Sequence, residues 1–148
     1  MKTILDQSTR AELIARINAL PTDSQAQWGR MTLYQMLKHC TLWDEWMQGR
    51  RQYPRRSLLG RIIGRMALRS SVKDERPMMR NAMSLPELQI TEDGDVVLQR
   101  ARWIAAIEGY GHFSNPGFVH FFFGKMTEEE MGIFAYKHAD HHLRQFNR

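Results

Sequence analysis

"TEEEMGIFAYKHADHHLRQF", residues 127–146, decides the fold. It opens on a capping box: a Thr side chain caps an amide three residues on, and a Glu reaches back. At about 100° per residue, Met131, Phe134, Ala135, His138, His142 and Gln145 share one face, with Lys137, Asp140 and Arg144 opposite. The stretch therefore predicts an amphipathic helix from Thr127 to about Phe146 with His138 and His142 in its apolar stripe, one turn apart. His141 falls at the edge of that stripe, about 80° from the midpoint of the pair. Histidines interleaved with Ala, Asp, Leu and Phe are not an affinity tag.

The same signature recurs upstream. "TRAE" at Thr9 and "TLYQ" at Thr32 each precede an apolar period. They predict a helix from Thr9 to Leu20, with Leu13, Ile14, Ile17 and Leu20 inward and Pro21 as the stop, and a second from Thr32 to about Gln48. Leu33, Met36, Leu37, Cys40 and Met47 mark the inner face of the second, with His39 beside Met36 and Trp43 on its flank. A further helix is expected from about Gly94 to Tyr110, burying Val96, Trp103, Ile104 and Ile107. Between these, "SLLGRIIGRMALRS" reads as a short amphipathic helix whose arginines face outward and whose apolar side caps the rest. No stretch has strand periodicity. Four main helices and a long basic crossover between the second and third predict an all-α, four-helix bundle in one domain, residues 1–148.

The 148 residues carry a net charge of +5 and one cysteine, Cys40. Between Arg50 and Arg80 ten basic residues meet only Asp74 and Glu75, so this segment holds +8 and the rest of the chain −3. "MKTILDQSTR" is too polar for a signal peptide, and no stretch approaches the roughly 18 apolar residues of a membrane span. With a single cysteine, a reducing, cytoplasmic setting is expected. Nothing fixes the oligomeric state, and a homodimer stays open.

Two inward imidazoles on one helix and a third, His39, on a facing helix can all be satisfied by one metal ion, and helix bundles build metal sites in this way. The competing reading is a set of hydrogen-bonded core histidines, since an unpaired buried polar group costs about 1–3 kcal/mol. Arg100 falls between Val96, Trp103 and Ile107. It either holds an anionic group of a substrate or snorkels from the helix edge. His120, with the aromatics around it, either lines a pocket mouth or plugs one end of the bundle.

"WGRMTLYQMLKHC", residues 28–40, and "HFFFGKMTEEEMGIFAYKHADHHLRQF", residues 120–146, together resemble the DinB-like (YfiT-like) metalloenzyme superfamily. Within it they are most similar to a bacterial family of unassigned reaction, the domain of unknown function 1569. The two blocks cover about a quarter of the chain. The resemblance implies a four-helix bundle holding a divalent metal, nickel or zinc, on three histidines. Matched residue by residue, these are His39, His138 and His142. Some superfamily members transfer thiols such as mycothiol, bacillithiol or glutathione. Two positions depart from the family pattern: Phe121 stands where it has Pro, and Asn147 where it has Gly.

Three neutral ligands leave an open coordination position, so the leading expectation is a metal-dependent transferase or hydrolase. It would activate a low-molecular-weight thiol, or water, against a small electrophile. Two alternatives stand beside it: a non-enzymatic metal-binding stress or sensing protein, and a protein that binds nucleic acid or an anionic membrane through residues 50–80.

Overall fold

The computed structural model describes residues 1–53, 57–82 and 84–148. Arg55 and Arg56 of the basic segment lie outside the described residues. The chain is mostly helical: α1 (Gln7–Asn18), α2 (Leu33–Met47), α3 (Leu58–Val72), α4 (Val96–Gly109) and α5 (Glu128–Gln145). Short 3-10 turns occupy Pro86–Leu88 and Tyr110–His112. α2 packs on α4 and α5, and α1 packs on the same two helices. Their shared interior holds Leu13, Ile17, Leu37, Trp103, Ile107 and Met131, all fully buried.

Two of the three expected capping boxes form. Thr32 Oγ1 accepts from Gln35 N at 3.3 Å, and Gln35 Oε1 accepts from Thr32 N at 3.0 Å. Thr127 and Glu130 repeat the exchange at 3.1 and 2.9 Å. Thr9 does not cap. α1 begins earlier, behind Asp6, and Thr9 is buried inside it. The cause is tertiary. Ile4 N donates to Gly132 O of α5 at 3.1 Å, and Arg10 Nη1 donates to the carbonyls of Ile4 and Leu5 at 3.0 and 2.6 Å. These bonds fix where the chain turns into the helix, and a local capping preference of about 1 kcal/mol yields to them.

The expectation of no strands is corrected by a small antiparallel hairpin, β1 (Val119–His120) with β2 (Gly124–Lys125), pairing Val119 with Lys125 and His120 with Gly124. Its turn closes on Gly124 at φ +79°, a left-handed conformation that suits glycine. His120 Nδ1 accepts from the amides of Phe122 and Phe123, both at 3.2 Å. The turn is thus held by an imidazole.

Arg61, Arg65 and Arg69 of the crossover helix α3 face outward as expected, but its apolar side does not turn inward. Leu58, Leu59, Ile62 and Met66 face solvent, while Gly60, Gly64 and Leu68 face inward. A Cβ at Gly64 would stand 2.0 Å from Phe122 O, and one at Gly60 2.3 Å from the same atom. The two glycines let the α3 backbone lie directly on the hairpin, and that contact decides which face turns inward. Lys137, expected on the outer side of α5, is buried beneath the crossover: its Nζ donates to Ser71 O at 2.7 Å and Asp74 O at 2.9 Å. An ammonium on the last carbonyls of a helix satisfies groups that have no intrahelical partner. Asp140 is also buried, between Arg16 at 2.9 Å and Arg144 at 2.7 Å.

Candidate metal centre

His39 stands midway along α2, and His138 and His142 stand one turn apart on α5. The packing of α2 on α5 brings the three rings together, with centroids 5.3, 4.9 and 4.7 Å apart. One ring nitrogen from each lies within 4.8 Å of the others. All three residues are buried. Burial is the main cause that pushes each imidazole below its ordinary pKa, furthest for His138 and His142, where the neighbouring histidines add to it. The trio is therefore neutral at neutral pH, the ligating form.

The tautomers follow from the partners. His39 Nδ1 lies 2.8 Å from Leu88 O, so it carries the hydrogen and donates. That leaves the lone pair of Nε2 aimed at His138 Nε2, 3.3 Å away. His142 Nδ1 lies 2.9 Å from Gln145 Oε1. The amide orientation of Gln145 is set by its own Nε2, which donates to Trp28 O at 2.8 Å. Hence His142 Nδ1 donates, and its Nε2 lone pair is left free. Histidine ligands ordinarily donate their second nitrogen in this way. Two nitrogens on a tetrahedral zinc, each at about 2.0–2.1 Å, stand about 3.3 Å apart, which matches the His39–His138 separation. Three imidazoles without a carboxylate suit zinc or nickel better than magnesium or calcium. The residues present fit a divalent ion of that class.

The trio opens into a cavity of about 910 Å³, at the upper end of the range of small-molecule sites. Its walls are mainly apolar and include Trp43, Leu85, Phe121 and Phe134. Trp43, which the wheel leaves on the flank of its helix, stacks on His138 with centroids 4.1 Å apart.

His120 lies in the same wall, caged by Phe123, Phe121 and Trp46 at 4.5, 4.6 and 5.0 Å. Burial pushes its pKa down to about 3. With Nδ1 occupied by two amides, it presents a neutral Nε2–H. It lines the cavity and packs between the hairpin, Trp46 of α2 and Phe134 of α5. His141 lines the cavity from its rim, edge-on to Trp28 at 5.8 Å. Arg100 is elsewhere: its Nη2 donates to Leu20 O at 2.5 Å, tying α4 to the end of α1, and it does not line the cavity. Cys40 is fully buried with its thiol pKa pushed well up by burial, which suits core packing.

The family model for Protein of unknown function (DUF1569) matches residues 2–148. The chain belongs to the DUF1569 family. No curated protein and no solved structure matches it. The DUF1569 match covers nearly the whole chain and so includes His39, His138 and His142 together with the crossover.

Two contributors to the site had no signal in the sequence of this DUF1569 protein. One is the Leu88 carbonyl, delivered by the 3-10 turn after Leu85. The other is Trp28 O, which orients Gln145 from 117 residues away.

Proposed function

We propose that this DUF1569 protein is a DinB-like metalloprotein, in which α1, α2, α4 and α5 form the superfamily's four-helix bundle and His39, His138 and His142 hold a divalent zinc or nickel ion. The observation that carries the reading is the convergence of three neutral, buried imidazole nitrogens within 4.8 Å, two of them with lone pairs directed by second partners. When bound, the ion supplies an open coordination position and a +2 charge that lowers the pKa of a thiol or water.

The chain's own residues do the rest. Leu88 O and Gln145 hold the rings of His39 and His142 in the ligating tautomer. Trp43 covers one face of His138 and excludes water from it. Phe121 and Phe134 give the cavity walls that favour an apolar substrate portion. The neutral Nε2–H of His120 is a hydrogen-bond donor in that wall. The protein is thus read as a transferase or hydrolase that turns a low-molecular-weight thiol, or water, on a small electrophile. The size of the cavity favours this over a closed metal-storage or sensing site.

The test is elemental analysis of untagged protein, followed by cobalt substitution and addition of a thiol. One metal per chain is expected, lost in His138→Ala and His142→Ala and kept in His141→Ala. A sulfur-to-cobalt charge-transfer band is expected with the thiol, because only a vacant position admits it. Unchanged metal content in the two ligand variants overturns the site. A saturated ion with no spectral response to thiols removes the transferase reading.

A further inference from the structure

Leu58, Leu59, Ile62 and Met66 of α3 are 76%, 55%, 81% and 69% exposed. Their outward orientation is fixed, since the opposite face rests on the hairpin backbone through Gly60 and Gly64. On the helix wheel Leu58, Ile62 and Met66 fall within about 80° of one another. Arg69 and Lys73 continue that stripe, and Arg61 and Arg65 flank it, all four exposed. Arg61 and Arg69 enter no ion pair among the described residues.

A partner must answer both the apolar stripe and the cations. A second copy docked face to face would set these arginines against their own counterparts. A nucleic acid would neutralise the cations and leave the four apolar side chains unburied. A lipid surface with anionic headgroups answers both, taking the apolar side chains at the acyl boundary and the guanidinium groups at the phosphates. No helix among the described residues is long and apolar enough to cross a membrane, so such contact lies along the surface. Leu59 and Lys73 also line the cavity of the histidine trio, so the same face carries the cavity rim.

We propose that α3 is an interfacial helix that docks the protein on an anionic membrane surface, with the rim of the histidine cavity turned toward the lipid. The inference rests on α3 alone and stands whether or not the histidines hold a metal.

The experiment is co-sedimentation of the full chain with phosphatidylcholine vesicles, with and without phosphatidylglycerol, across a salt series. Binding is expected only with phosphatidylglycerol, weakening as salt rises. The variant Ile62→Ser with Met66→Ser removes two highly exposed side chains and is expected to bind about tenfold more weakly or worse. Arg61→Gln with Arg69→Gln is expected to weaken binding about fivefold per arginine. Far-ultraviolet circular dichroism and melting temperature of both variants should match the parent. Absence of binding to phosphatidylglycerol vesicles overturns the proposal, as does binding that the Ile62/Met66 variant leaves intact. A dimer in solution that the Ile62/Met66 variant dissociates assigns the face to a second copy instead. Duplex DNA binding lost only in the arginine variant assigns it to nucleic acid.

Discussion

Asp44 is a buried carboxyl group on α2, 2% exposed, and it accepts from Trp103 Nε1 and Tyr110 Oη, both at 2.9 Å. Burial outweighs these two donors and pushes its pKa from 3.8 up to about 7. The folded protein therefore holds a proton here that the unfolded chain releases near pH 4. Stability from this group is complete below the unfolded value and falls as pH rises towards the folded one. Each step of one pH unit in that window costs about 1.4 kcal/mol, so the full loss is about 4 kcal/mol by about pH 8. Asp44→Asn mimics the protonated acid. Its Oδ1 can accept from Trp103, and its Nδ2 can donate to Tyr110, whose hydrogen then turns toward Gln48 Oε1, a buried oxygen with no other partner. The assay is urea unfolding of both metal-free proteins from about pH 5 to about pH 8. The buried histidines have depressed pKa values and lose stability in the opposite direction, as pH falls, but they are common to both proteins and cancel in the difference. The variant is expected to exceed the parent by about 1.5 kcal/mol at the acid end and by about 4 kcal/mol at the alkaline end. A difference that stays constant with pH, or a variant weaker throughout, would show that Asp44 is ionised at every pH and that its two donors outweigh burial.

Further outcomes can be measured. Zinc at about one hundred times its Kd should stabilise the protein by about 2.7 kcal/mol, a rise of about 5–10 °C in Tm by calorimetry, and His138→Ala should abolish that rise. Gln145→Ala removes the acceptor that orients His142 and should weaken metal binding about 10- to 100-fold in a chelator competition; an unchanged affinity would show that the tautomer is set otherwise. Gly64→Ala forces a methyl group onto Phe122 O and should destabilise by about 1–3 kcal/mol in urea. Replacing Arg55, Arg56, Arg61 and Arg65 by Gln should leave metal content intact, as Arg61 and Arg65 lie on α3, away from the histidines.

The histidine trio was legible because helical period alone places His138 and His142 on one stripe, and His39 beside Met36 on the facing helix. Capping boxes at Thr32 and Thr127 are local chemistry and formed as written. At Thr9 the same chemistry lost to bonds around Ile4, one of which reaches Gly132, which no local window contains. The exposure of Leu58, Leu59, Ile62 and Met66 on α3 has a related reason. Apolar side chains normally point inward, and only the close approach of Phe122 O reveals why glycines do so here. Lys137 reads as a surface charge because a wheel shows direction and not what covers it, and Asp44 carries no signal of burial in the sequence. The crossover covers the first, and Trp103 with Tyr110 encloses the second.

The crossover is held by the glycine contact with the hairpin, by Lys137 on its carbonyls and by Arg65 on Glu130 at 2.7 Å. All three anchors belong to α5 or the hairpin, and α3 packs on those elements. α1, α2, α4 and α5 supply most of the interior, and α3 adds Leu68 to it. Such a segment behaves as a foldon that opens below the global unfolding energy, so its amides should exchange with deuterium well before those of α4. Each opening would lift Leu59, Ala67 and Lys73 from the cavity wall, widening the path by which an ion reaches the three imidazoles without melting the protein.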